Sequence, residues 1–178
     1  MREAPTTLPP LWRGAGPLVL ASRSESRRAL LSAAGLEAEF IAPEVDERAL
    51  EVRHLAGGGS LEDVALELAQ AKALAVSAER PDAYCIGADQ TLTFEGRILH
   101  KSLNVAEAAQ TLAALSGKTH RLTSAFCVAR AGRVLVVHRD HADVHMRALD
   151  LGEISRYLDR AGPAVLGSVG AYQGEGLG

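Results

Sequence analysis

Aromatic residues are scarce in this chain, at 4% of 178 positions. That leaves no stacking platform for the bases of a single-stranded nucleic acid. No apolar run approaches the ~20 residues that a membrane-spanning helix requires. Positive charge is not in excess: the formal net charge is −3, so no global field draws the chain toward nucleic acid or a membrane surface. An anionic ligand must therefore be met by a local cluster of Lys and Arg. Only two cysteines occur. Cys85 and Cys127 both sit in apolar, strand-like runs, which reads as reduced core thiols rather than a disulfide or a metal site. The phosphate-binding pattern G-x-x-x-x-G-K-[ST] is absent, and Gly174-Glu175-Gly176-Leu177-Gly178 opens no helix. His138, His141 and His145 fall in an apparent strand. Alternation puts His138 on the opposite face from His141, and His145 is too distant to share a ligand with it, so the three read as surface histidines. Residues 1–16 lack the apolar core of a signal peptide and are expected to form a loose tail. With no span and no signal, a cytoplasmic location is expected, without nucleic-acid or membrane partners.

What remains is ordinary for a globular protein: 47% hydrophobic and 23% charged residues, enough for one domain over residues 17–178. Residues 17–21 read as a first strand. Ser24 then caps a helix over residues 25–34 with Leu30 and Leu31 inward, stopped by Gly35. Residues 39–41 read as a second strand, and residues 44–59 as a polar loop ending in three glycines. Ser60 caps a long helix whose core positions are Leu61, Val64, Ala65, Leu68, Ala71 and Ala75, with Lys72 elsewhere on the cylinder. A third strand ends at Asp89, Glu95-Gly96 turns the chain into residues 97–99, and Asn104 caps a helix that ends near Gly117. Residues 120–130 and 133–146 form a hairpin, and Asp150 caps the last helix, over residues 151–160. The pattern is α/β: one domain with a mixed β-sheet flanked by helices.

Three polar clusters follow strands. Ser22-Arg23-Ser24-Glu25-Ser26-Arg27 joins a strand to a helix N-terminus, where backbone N–H groups, serines and Arg27 suit a phosphate; simple capping beside a solvated Arg pair is the alternative. Glu44-Val45-Asp46-Glu47 follows the second strand and Asp89 the third. Two carboxylate clusters at strand ends suit a divalent cation. Lys72 and Lys101 add positive charge.

In order, Leu20-Ala21-Ser22-x-Ser24-x-x-Arg27-x-x-Leu30-Leu31, Val45-Asp46-Glu47, Ala71-Lys72-Ala73, Gly87-Ala88-Asp89-Gln90, Leu115-Ser116-Gly117-Lys118-Thr119-His120, Gly170-Ala171-Tyr172 and Gly176-Leu177-Gly178 resemble the Maf family of nucleoside triphosphate pyrophosphatases, once named septum-formation inhibitors. The resemblance implies a deep groove between two lobes, often a dimer, and cleavage of a nucleoside triphosphate to monophosphate and pyrophosphate with Mg²⁺ or Mn²⁺. It implies that Asp89 activates water, that Glu47 assists through the cation, and that Asp89 and Glu47 hold the metal. It implies as well that Ser22, Ser24, Arg27, Lys72 and Lys101 grip the triphosphate. Ser26, Gln90 and Glu175 fall where the family sorts its substrates; Gln90 and Glu175 resemble the 7-methyl-GTP branch, while Ser26 lacks that branch's aromatic. A nucleotide-binding regulator of cell division without turnover is the alternative function. Glu25 and Ser102 stand where the family usually has proline. The family normally continues past the last glycine motif with a strand, an acidic turn and a helix. Without such a segment, a sheet edge and a core face are expected to be exposed.

Overall fold

The longest strands set the frame. The structure, a computed structural model, describes residues 11–173. β3 (Tyr84–Phe94) pairs antiparallel along most of its length with β5 (Thr119–Arg130), which in turn pairs with β6 (Arg133–His145) across the turn at Ala131-Gly132. On its other edge β3 has two partners. β1 (Leu18–Ala21) runs parallel to its lower part, from Tyr84 to Gly87, and β4 (Arg97–Leu99) runs antiparallel to its upper part, from Leu92 to Phe94. β2 (Glu39–Ile41) lies parallel outside β1, so the described residues form a mixed sheet of order β2-β1-β3-β5-β6 with β4 alongside β3. The described residues form one α/β domain with five α-helices.

α3 (Val64–Glu79) packs across one face of the sheet, entered through a short 3₁₀ turn at Leu61–Asp63 that Ser60 caps. Ala65, Ala69 and Ala73 meet Ala125, Cys127 and Ala129, small residues on both sides that let helix and sheet approach closely. Both cysteines are free and buried in this layer. Burial pushes the Cys127 thiol up to about 11, and raises that of Cys85 as well. A second lobe, built from α4 (Val105–Leu115) and α5 (Leu151–Ala161), encloses Leu112, Ile154, Leu158, Val165 and Ala171. It joins the upper sheet through Leu92, Phe94 and Leu115. Asn104 caps α4, and Asp150 with Glu153 forms a reciprocal capping box on α5.

Four sequence expectations are corrected. Residues 44–59 are not a loop throughout, because α2 (Glu47–Ala56) forms within them, capped by the Asp46 carboxylate on the Ala49 N–H. Its helical signal was hidden because α2 buries no residue and so shows no apolar stripe. α1 (Glu25–Ala33) likewise buries none, and Leu30 is 65% exposed instead of facing the core. On α3 the buried stripe continues through Ala69, Lys72, Ala73 and Val76 rather than Ala71 and Ala75; alanine on every side of the helix made the stripe ambiguous. Finally, Asp89 does not end a strand, since β3 runs on to Phe94 with β5 as its continuous partner.

Within the expected tail, Trp12 packs edge-on against Tyr84 with ring centroids 5.1 Å apart, and its indole N–H donates to the Gly16 carbonyl. Residues 1–10 lie outside the described part. β6 is exposed along nearly its whole length, including Val134 to Val137, and Phe126 and Phe40 are partly exposed on the sheet.

Candidate active site

β1 stops pairing with β3 at Gly87, and β4 begins pairing at Leu92. Residues 88–91 therefore have a partner on the β5 side alone, and the other edge of β3 is left open between the two strands. Asp89 sits in this opening. The chain leaving β1 enters it with Ser22 and Ser24. The chain leaving β2, parallel to β1, delivers Asp46 and Glu47. Antiparallel pairing of β4 means that each residue beyond Leu99 advances toward the level of Asp89, which brings in His100 and Lys101. Parallel strands place their carboxyl-end loops on one rim, where α/β proteins bind ligands.

Ser22 is buried, and its Oγ accepts from the Ser24 N–H at 3.1 Å. Ser24 caps α1 by accepting from the Arg27 N–H at 3.4 Å, and its Oγ lies 2.9 Å from that of Ser26. Capping fixes the first turn of α1, from which Arg27 reaches across and donates through Nη2 to Asp89 Oδ1 at 3.1 Å. From the opposite side Lys72 Nζ donates to the same oxygen at 3.1 Å and lies 2.9 Å from Glu47 Oε1.

Lys72 is only 4% exposed. A buried ammonium is costly unless paired, and Asp89 and Glu47 supply the pairing. Gly87 makes the arrangement reachable. Cys85, Gly87 and Asp89 alternate onto the α3 face. A Cβ at Gly87 would lie 2.1 Å from the Ala69 carbonyl oxygen and 2.5 Å from the Ala73 nitrogen. The bare backbone lets α3 settle against β3, with Lys72 beside the next residue on that face.

The two cations and two carboxylates thus form one chain of ion pairs, Arg27–Asp89–Lys72–Glu47. Among the described residues, every side-chain contact to Asp89 falls on Oδ1. Lys101 is exposed, its backbone bridged to Val169, and it has no acidic partner among the described residues. Gln90 donates through Nε2 to Ser124 Oγ at 2.9 Å, its cross-strand partner on β5. That contact was illegible in the sequence because it depends on strand register. Glu175 lies outside the described residues. Of the ten site residues read from the sequence, Arg27, Glu47, Lys72 and Asp89 are joined by side-chain contacts, Ser22, Ser24 and Ser26 stand at the start of α1 that presents Arg27, Lys101 follows β4, and Gln90 turns to the sheet face opposite Asp89 and leans on β5.

Asp89 and Glu47 contact one and the same ammonium, so both are within reach of a single cation. Among the described residues there is no cluster of three or more His, Cys, Asp or Glu able to hold a metal. Two carboxylates are the donor set typical of Mg²⁺, which keeps its waters and takes phosphate oxygens for its remaining positions. The site therefore fits a cation brought together with a phosphate ligand, and does not fit an all-protein cage.

Residues 17–178 match the family described as "Maf-like protein". The chain is similar to a "7-methyl-GTP pyrophosphatase" of Brucella abortus biovar 1 (strain 9-941), with 48% identity over 161 residues covering 90% of this chain and 81% of the relative. A protein of the same name from Mesorhizobium japonicum is also 48% identical over 161 residues, with the same coverage. A "Nucleoside triphosphate pyrophosphatase" of Nitrobacter winogradskyi is 46% identical over 168 residues, covering 94% of this chain and 82% of the relative.

Proposed function

Because the chain belongs to the Maf-like protein family, we propose that it is a nucleoside triphosphate pyrophosphatase, a hydrolase that cleaves an acid anhydride to release the nucleoside monophosphate and pyrophosphate. The names of the relatives support this reading. The observation that carries it is the convergence of Arg27 and Lys72 on Asp89 in the opening beside β3, with Glu47 held on the same Lys72 ammonium.

A nucleoside triphosphate carries about four negative charges, and its cleavage spreads further charge over the phosphoryl oxygens. In this proposal the α1 N-terminus, Ser22, Ser24, Arg27, Lys72 and Lys101 bind the triphosphate chain. Arg27 and Lys72 are shared between Asp89 in the resting protein and phosphate oxygens when substrate is present. Asp89, held through Oδ1, receives the proton of the attacking water on Oδ2. Fixed donors around the reacting phosphorus need no reorganisation as charge develops. A Mg²⁺ or Mn²⁺ ion held by Asp89 and Glu47 would supply charge neutralisation at the phosphates.

For the base, Gln90 is oriented by Ser124, which leaves its carbonyl oxygen as an acceptor. Ser26 offers a small hydroxyl and no stacking surface. We assign a guanine-type preference to Gln90, Ser26 and Glu175, without a specialised aromatic for a methylated base. Residues 17–178 form the catalytic domain in this proposal, with residues 1–16 preceding it. A dimer and a cytoplasmic location belong to the same reading.

Pyrophosphate release over a panel of nucleoside triphosphates, including GTP, 7-methyl-GTP and UTP, with Mg²⁺ or Mn²⁺, tests it. Release with a purine bias is expected. Triphosphate binding with no release would instead favour a nucleotide-binding regulator.

A further inference from the structure

His100 is not accounted for by the network around Asp89. It lies on the upper bank of the opening, next to Lys101. Its Nε2 sits between two residues of α2 on the opposite bank: it hydrogen-bonds Arg48 Nη1 and lies 3.3 Å from Glu51 Oε1. Arg48 and Glu51 are themselves 3.4 Å apart. The Glu51 side chain is only 14% exposed, against 41% for His100 and 61% for Arg48, so Glu51 is the fixed member of the trio. The Glu47–Lys72 pair ties α2 to α3, and the bonds of the trio tie α2 to the segment that leaves β4.

We propose that Arg48, Glu51 and His100 form a strap beside the opening at β3, and that the strap positions Lys101 to grip the triphosphate. The proposal rests on the functional reading above. The trio joins the neighbours of two site residues, since Arg48 follows Glu47 and His100 precedes Lys101. Lys101 is held in extended backbone by its bridge to Val169, and successive side chains of an extended chain point to opposite faces. Fixing His100 toward α2 therefore fixes the direction in which Lys101 leaves the backbone. The strap offers both a donor, Arg48, and an acceptor, Glu51. It holds the ring whether Nε2 is bare or carries a proton. A glutamine side chain can meet the same pair, through its carbonyl and its NH₂.

The test is steady-state pyrophosphate release by the full chain carrying His100→Ala, Glu51→Ala, His100→Gln, Lys101→Ala and the double change His100→Ala/Lys101→Ala. His100→Ala and Glu51→Ala are expected to raise KM by about two- to fivefold, the range of a partly exposed ion pair, with kcat unchanged. His100→Gln should restore most of the affinity. In the Lys101→Ala background the effect of His100→Ala should vanish, because the strap acts through that lysine. An unchanged KM in His100→Ala, failure of glutamine to rescue, or full additivity with Lys101→Ala would each overturn the strap while leaving the enzymatic reading intact. If the wild type binds tripolyphosphate by calorimetry without hydrolysing nucleotides, the enzymatic reading fails and the same variant ratios in Kd decide the strap. No tripolyphosphate binding by the wild type would overturn both.

Discussion

Asp89 Oδ1 accepts from Arg27 and Lys72 at the same distance, 3.1 Å, so its replacement separates base chemistry from charge. Asp89→Asn keeps the volume and removes the proton acceptor. Turnover should fall by ~10²–10⁴-fold, while triphosphate binding is kept or tightened because two cations lose their competitor. Full activity in this variant would remove Asp89 from the reaction. The two lysines differ in setting, and salt distinguishes them. Lys101 is exposed, so its contribution to triphosphate affinity should fade above ~0.1 M salt, where the Debye length is ~10 Å. Lys72 is 4% exposed, and the loss in Lys72→Ala should persist at high salt; Kd for a triphosphate at low and high salt checks this. Far from the opening, His120 is 2% exposed, and its Nε2 meets the Tyr172 hydroxyl at 2.6 Å. Burial lowers its pKa below the ordinary 6.5. As pH falls below that value, the unfolded chain takes up a proton that the folded one resists. The stability from a neutral His120 is thus present above 6.5 and lost as pH drops through the folded value. His120→Gln should flatten the acid side of the Tm–pH profile, and an unchanged slope would assign acid sensitivity to other groups.

At the level of elements, the contact of α3 with β3 governs both stability and the site. Gly87→Ala would set a methyl 2.1 Å from the Ala69 carbonyl oxygen, and backbone cannot swing aside as a side-chain end would. The expected cost is ~1–3 kcal/mol, or ~2–4 °C in Tm per kcal/mol for a chain of this size. Because Lys72 rides on the displaced helix, turnover should fall by more than the unfolded fraction explains. Normal Tm and rate in Gly87→Ala would mean that the helix–sheet spacing is not critical. Most elements were legible in the sequence from a buried face or a cap: Ser24, Asn104 and Asp150 cap the helices expected, while Ser60 caps the 3₁₀ turn ahead of α3 instead of the long helix itself. α2 was not read despite its Asp46 cap, since it buries no residue and runs into three glycines that read as loop.

For the whole molecule, the core runs through the small-residue layer beneath α3 and through the α4–α5 lobe, and no cluster of three or more metal-binding side chains occurs among the described residues. A divalent cation is thus expected to serve the substrate and not the fold. Chelation by EDTA should abolish pyrophosphate release and leave Tm within about 1 °C of the untreated protein, as a structural metal would not. A large fall in Tm on chelation would place a structural metal in the protein.

By itself the sequence determined the α/β class, most element boundaries and the ordered motifs that mark the family, because these depend on local periodicity, capping and short strings of residues. It also supplied the identity of the polar groups. Only the tertiary structure decided that Asp89 lies in mid-strand at an unpaired edge, that Lys72 is buried between two carboxylates, and that Gln90 leans on Ser124. It alone brought His100 to α2. Each of these depends on which strands pair and in what register, and register is fixed by packing between residues far apart in the chain, as between Gly87 and α3.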